Sequence, residues 1–422
     1  MHEGYGRLRA DGRRLATGGC RPAGGDSRPA ADCRRSATGP AQVPARGLAY
    51  GDEVPTETST PWPAVQTAEG FSREAVQQRL ATFLTAKGRQ LAGISPDLAE
   101  VHAAATDLLA GGKRLRPAFL YWGWRAAGGA VTAGADEAGV LTAAAALELL
   151  QASALVHDDV MDGSELRRGL PAAHRRFAAR HRSSGWVGSP EGFGTGAAIL
   201  LGDLCLSWSD ELLRTCGLPP ARLLPAMRLF DDMRTEVIAG QYLDLVEQAT
   251  GGTSVERALV VVRFKSAKDT VERPLHVGAV LAGADSSFVD ALSAYGMPLG
   301  EAFQLRDDVL GVFGDPSVTG KPAGDDMREG KRTVLVAEAL TRATPTQARV
   351  FRRFLGDPSL SAEGLAALRD VVVRTGALQR VEDRIETLTR DCLQALDAAG
   401  VTDPAAADAL RGLADAATRR VV

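Results

Sequence analysis

In the segment HDDVMD, Asp158 and Asp162 are spaced i, i+4, with Asp159 beside the first. On an α-helix Asp158 and Asp162 share a face and Asp159 lies about 100° away. Three like charges on one rim destabilise a bare helix, more so at its C-terminal end, where the helix dipole disfavours anions. A bound cation resolves that conflict. Mg²⁺ takes one or two carboxylates and fills the rest of its shell with water and phosphate oxygens. A solvated acidic helix end accounts for a lone DDxxD equally well.

A second pair, Asp307 and Asp308, follows another apolar run in FQLRDDVLGVFGDPSVTGKPAGDDMREGKRT. Two acidic rims on separate helices suit several metal ions across one diphosphate, with Lys321, Lys331 and Arg332 supplying positive charge nearby. A salt-bridge network in that loop is the competing account, but it leaves unexplained why both pairs end apolar helices. Upstream, GGKRLRP sets Lys113, Arg114 and Arg116 between glycines and Pro117, a residue suited to a first helical turn. Amides and cations there can bind phosphate without metal. Arg167 and Arg168, just before Gly169, add a basic site close to the first cluster. Together these groups predict two anionic substrates, one held by metal and one by arginine.

The elements that position these groups read as helices. From Phe71 onward the chain runs in long Ala- and Leu-rich segments such as TAAAALELLQASALVHDDVMD, with little period-2 alternation. Breaks at Gly111 to Pro117, Gly185 to Gly196, Gly217 to Pro220, Gly251 to Thr253 and Gly314 to Gly324 separate helices, several longer than about twenty residues. No short repeat is present. The expected fold is all-α, a single bundle of long antiparallel helices around a deep central cavity, spanning residues 71–422. Residues 1–70 are crowded with Gly, Arg, Pro, Ala and Ser, lack an apolar period, and read as a disordered extension.

Composition excludes other classes. The hydrophobic share is 45% and the charged share 24%, as in ordinary globular proteins. A net charge of -3 gives no general attraction to nucleic acid or anionic membrane. The five cysteines form no CxxC pair and are odd in number for a disulfide framework, so a reducing cytoplasm is expected. The apolar stretch Gly139 to Val156 contains Glu148 and Gln151, and no signal-like leader precedes it. Neither secretion nor a membrane span is expected.

The ordered set GGKRLRP, DDVMDGSELRRG, GQYLDL, FKSAK and FQLRDDVLGVFGDPSVTGKPAGDD resembles the trans-polyprenyl diphosphate synthases, the farnesyl and geranylgeranyl diphosphate synthases among them. The resemblance covers roughly residues 75 to 420. It implies a homodimeric enzyme that joins isopentenyl diphosphate head-to-tail to an allylic diphosphate, using about two or three Mg²⁺ ions. It also implies roles by residue. Asp158, Asp159 and Asp162 look like the first metal cluster and Asp307 and Asp308 like the second. Lys113, Arg116 and Arg168 look like isopentenyl diphosphate ligands, and Arg167, Lys265, Gln304, Lys321 and Lys331 like ligands of the allylic diphosphate. Gln241 and Asp244 occupy the GQxxD element near the reacting carbons, and Ser266 keeps the hydroxyl of a common threonine.

Two further departures from the pattern are visible. Gly311 stands where many members have a third aspartate, and Gln151 where a histidine often assists isopentenyl diphosphate. Below the first cluster, Ser153 and Ala154 are small where farnesyl-length enzymes often carry aromatics, so the expected product is geranylgeranyl diphosphate. The bland alternative is a helix crossing, with the pocket floor set by Leu147 or Leu150. Farnesyl or longer-chain synthesis, a class I terpene cyclase and a non-catalytic synthase subunit are the other readings. A cyclase needs neither GGKRLRP nor a second DD helix, and a regulatory subunit typically lacks one cluster.

Overall fold

Ser, Thr and Asp residues ahead of the apolar runs act as helix caps, and their side-chain oxygens accept otherwise unpaired amides in the first turn. In a computed structural model describing residues 71–130, 135–314 and 324–419, Ser72 accepts from Ala75, Ser189 from Gly192, Asp285 from Phe288 and Thr333 from Val336. Thr344 and Gln347 form a reciprocal capping box. Left-handed Gly251 and Gly283 close two helices at their other ends.

The helices follow in order: α1 (Arg73–Ala92), α2 (Ala99–Leu109), α3 (Leu115–Ala126), α4 (Ala135–Asp162), α5 (Ala173–Ser183), α6 (Pro190–Arg214) and α7 (Pro220–Thr250). Then come α8 (Val255–Val261), a π-helical segment (Val262–Glu272), α9 (Arg273–Ala282) and α10 (Ser286–Phe313). The carboxyl-terminal part is built from α11 (Asp325–Glu329), α12 (Val334–Arg342), α13 (Pro345–Phe354), α14 (Ala362–Arg374), α15 (Ala377–Ala398) and α16 (Pro404–Thr418). The fold is all-α, as expected. Among the described residues the sole sheet is a two-residue ladder, β1 (Leu166–Arg167) against β2 (Leu170–Pro171).

One expected boundary moves. Gly192, Gly194 and Gly196 belong to the first turns of α6, not to the linker before it. A Cβ on Gly194 would stand 2.3 Å from the His174 carbonyl oxygen, so this glycine admits α5 against α6.

Two apolar cores result. The larger joins α1 to α7 with α9, α16, the first half of α10 and the end of α15, and includes Trp122, Trp124 and Tyr295. The smaller joins α8 and α12 to α15 with the second half of α10. Each large apolar side chain removed from water contributes about 1.5–3 kcal/mol. α10 contributes to both cores, through Leu292, Tyr295 and Leu299 on one side and Leu305, Val309 and Val312 on the other, as does α15 through Cys392 and Leu396 against Ala377, Val381 and Ile385. α4 is long and apolar enough, over Asp136–Asp162, to cross a membrane by length and composition, yet 78% of its apolar window is buried inside the protein.

Candidate active site

The end of α4 carries Asp158, Asp159 and Asp162 to a rim where each meets different partners. Asp158 Oδ1 accepts from Gln241 Nε2 at 3.1 Å and from Lys265 Nζ at 3.1 Å, and Arg167 Nη2 lies 3.7 Å from its other oxygen. Burial would push its carboxyl up, but Lys265, Lys331 and Arg167 outweigh burial and hold it below the usual range. Asp159 turns inward, 1% exposed, and receives Arg167 through Nε at 2.9 Å and through Nη2. Asp162 is the least served: both carboxylate oxygens are buried without a hydrogen-bond partner, and Lys331 Nζ is 3.5 Å away. Burial, followed by repulsion from Asp158, pushes its pKa up to about 6.

Lys265 projects from the π-helical segment and also donates to Asp244 at 2.6 Å. That segment approaches its neighbours closely because they present glycines. A Cβ on Gly240 of α7 would stand 2.3 Å from the Lys265 backbone nitrogen, and one on Gly300 of α10 would stand 2.7 Å from the Ala267 Cα. Ser266 is half-buried beside Lys265.

The second pair sits on α10. Asp308 is 5% exposed, accepts from Gln304 Nε2 at 2.8 Å, and is pushed well above the usual carboxylate range by burial. Gln304 therefore orients a carboxylate here. Asp307 is half-buried one residue earlier. Lys331, between the two rims, lies 3.5 Å from Asp162, 3.5 Å from Asp326 and 2.8 Å from Glu329. Burial disfavours its charge, but Asp326, Glu329, Asp162 and Asp158 together outweigh burial and keep it protonated. Lys321 lies outside the described residues.

Gly311 has a structural counterpart. A Cβ built on it would fall 1.9 Å from Asp326 Oδ2, so the Asp326 carboxylate from α11 fills the space a longer side chain would take. The rim that reads one carboxylate short receives one from another element.

The two basic loops meet. Arg168 donates from Nη1 to the carbonyls of Leu108 at 3.0 Å and Gly111 at 2.8 Å, which sets the Arg167–Gly169 turn against GGKRLRP. Arg168 and Gly169, at φ 54° and 76°, form the two-residue tip between β1 and β2. Arg114 is the other non-glycine with left-handed φ among the described residues. It does not face solvent with its neighbours. Its guanidinium is buried against Glu148, Gln77 and the Leu109 carbonyl. Lys113 stays exposed, and Arg116 is held by Asp269 and Thr270 of the π-helical segment.

Ser153 is buried at 3% exposure, whereas Ala154, one turn below Asp158, is partly accessible. Asp326, Glu329 and Asp269 escape a sequence reading. The first two stand in the quoted GDDMREGKRT run, where a repeated acid was the available signal; Asp269 follows FKSAK with no motif around it.

Among the described residues, no three His, Cys, Asp or Glu donors already converge into a metal-binding group. The orphaned oxygens of Asp162 beside the Asp158 carboxylate are nevertheless a hard-oxygen donor set of the kind Mg²⁺ takes with water and phosphate oxygens.

Residues 99–371 match the family model described as Polyprenyl synthetase. The chain is 32% identical to the geranylfarnesyl diphosphate synthase of Aeropyrum pernix over 78% of this chain and 96% of that one. It is 30% identical to the geranylgeranyl diphosphate synthase of Sulfolobus acidocaldarius over 78% and 93%. A crystal structure of geranylgeranyl pyrophosphate synthase from Corynebacterium glutamicum, complexed with isoprenyl diphosphate and magnesium, superposes with a TM-score of 0.78 at 44% identity, covering 82% of this chain and 98% of that one. With two acidic rims, the cations between them and this similarity along most of its length, the chain belongs to the polyprenyl synthetase family.

Proposed function

We propose that the α4 and α10 carboxylates, with Arg167, Lys265 and Lys331, form the centre at which this trans-prenyl diphosphate synthase ionises an allylic diphosphate for head-to-tail condensation with isopentenyl diphosphate. Geranylgeranyl diphosphate is the main product in this reading. The observation that carries it is the position of Lys331, within 3.5 Å of both Asp162 and the Asp326 carboxylate that abuts α10.

The chemistry follows from charge. Ionisation leaves a carbocation and a diphosphate anion, so fixed positive charge at the leaving group lowers the barrier. Lys265 and Lys331 remain protonated because the carboxylates around them raise their pKa values against burial. Asp158, Asp159, Asp162, Asp307 and Asp308 would hold about two or three Mg²⁺ ions, which would supply Lewis-acid charge stabilisation. Asp159 holds Arg167, and Gln304 holds Asp308. Gln241 and Asp244 keep Asp158 and Lys265 in place. Lys113 in the loop before α3, Arg116 in the first turn of α3 and Arg168, hydrogen-bonded to that loop, are assigned to isopentenyl diphosphate. Its double bond attacks the cation, and a proton leaves to the departing diphosphate. No nucleophilic thiol is required. Burial pushes both Cys205 and Cys392 up to about 12.

Residues 71–422 are assigned as the synthase domain, acting as a homodimer. The buried free thiols of Cys205, Cys216 and Cys392 support a reducing, cytoplasmic setting. Similarity to a geranylfarnesyl synthase makes a longer product the second reading. The purified chain is to be incubated with Mg²⁺, isopentenyl diphosphate and, separately, dimethylallyl, geranyl and farnesyl diphosphate, and the products sized. Elongation ending at geranylgeranyl diphosphate is expected; no elongation with any primer overturns the proposal.

A further inference from the structure

Asp269 is a buried carboxylate on the π-helical segment, 3% exposed, with no place in the chemistry described above. A buried carboxylate is retained at low cost only when its charge is met with good geometry. Here the guanidinium of Arg116 supplies that charge. Arg116 donates to a single oxygen, Oδ2, from Nε at 2.8 Å and from Nη2 at 2.6 Å, and Nη2 donates again to the Thr270 hydroxyl at 2.8 Å. Three of the five guanidinium N–H groups, one on Nε and two on Nη2, are thereby committed. The two on Nη1 are those that Asp269 and Thr270 do not engage.

From this geometry we infer that Asp269, with Thr270, is a positioning residue for isopentenyl diphosphate: it fixes the Arg116 guanidinium through Nε and Nη2 so that the Nη1 group is presented to the diphosphate. The inference rests on the assignment of Arg116 to that substrate. Arg116 sits in the first turn of α3, and its side chain is 15% exposed, so it is mostly enclosed but not sealed from the surface. A long side chain ordered in advance loses less entropy on binding than a free one. The brace comes from the same segment that aims Lys265 at Asp158 and Asp244, the centre assigned to the allylic diphosphate. One helical segment therefore orients a cation for each substrate, through Lys265 and Asp269, four residues apart.

The test is steady-state kinetics on Asp269→Ala, Asp269→Asn and Arg116→Ala in the full chain with Mg²⁺, varying each substrate separately, with thermal melting of each variant. Asp269→Ala is expected to raise KM for isopentenyl diphosphate about tenfold, with kcat and the allylic KM within about twofold. Asp269→Asn retains one acceptor oxygen and is expected to recover most of that loss. If Asp269→Ala lowers the isopentenyl KM, or moves both KM values and kcat together, the inference is overturned. If Asp269→Ala does not fold, Asp269→Asn decides: a rise in both KM values alike overturns the inference, and a smaller rise confined to the isopentenyl KM supports it. Arg116→Ala separates the two levels of argument. An unchanged isopentenyl KM there removes the assignment of Arg116 itself, whereas a raised KM with an unaffected Asp269→Ala removes only the role of Asp269.

Discussion

Asp162 is the residue at which burial and charge conflict most openly. Its two oxygens are enclosed without hydrogen bonds, and its neighbour on the same helix face is another carboxylate. Such an arrangement is costly in a purely structural helix end and is relieved by a cation. Asp158→Ala is therefore expected to lower kcat by about 10²–10³ while shifting Tm by no more than about 4 °C; assay and melting curve together decide this, since a large Tm loss with retained turnover marks a solvated helix end. At Gly311, restoring the missing carboxylate is expected to harm. The new side chain meets Asp326 Oδ2, so Gly311→Asp should cost about 1–3 kcal/mol in urea unfolding and reduce turnover. A more active Gly311→Asp enzyme would mean that Asp326 does not stand in for the absent group. The aspartates were legible in the sequence because their spacing carries helix geometry. Asp326 was not, because its role depends on where a short helix lands against α10.

At the scale of elements, apolar periodicity and capping residues marked most helices, but two local features were hidden. The π-helical register of Val262–Glu272 has no composition of its own; it is held in place by glycines on other helices, and tertiary contact overrides local propensity. The glycines at the start of α6 resembled a linker because their packing against α5 is likewise not local. Gly240→Ala tests the first point. Its methyl group is expected to destabilise the protein by about 1–3 kcal/mol and to raise the allylic KM by displacing Lys265, read by thermal melting and kinetics. Neither effect would appear if the segment could shift freely. On α4, Ala154 is the more accessible of the two small residues below the first cluster. Ala154→Phe is expected to shift the main product from geranylgeranyl toward farnesyl diphosphate. Chromatography of the products checks it, and an unchanged distribution places the pocket floor elsewhere.

For the whole molecule, the sequence made an all-helical class readable but not the division of its interior into two cores, since which apolar faces meet is decided only on packing. Apolar side chains remain exposed along α6, where Phe193 is 40% and Leu200, two turns on along the same face, 63% exposed. Exposed apolar side chains of this size gain from burial in an association, and a homodimer through α6 is the proposed assembly. Leu200→Glu should convert the species seen by analytical ultracentrifugation to a monomer; a dimer that persists assigns association to another face.

α10 belongs to both cores and also carries Asp307 and Asp308. Proteins open locally in cooperative units, and a segment frees itself cheaply only if it belongs to the periphery of one unit. A rod threaded through two units has no such inexpensive route, so its amide hydrogens should exchange only when most of the chain opens. In the proposed centre the second carboxylate pair is thus tied to the completeness of the fold: a chain with either core undone is expected to lose turnover together with the protection of its α10 amides.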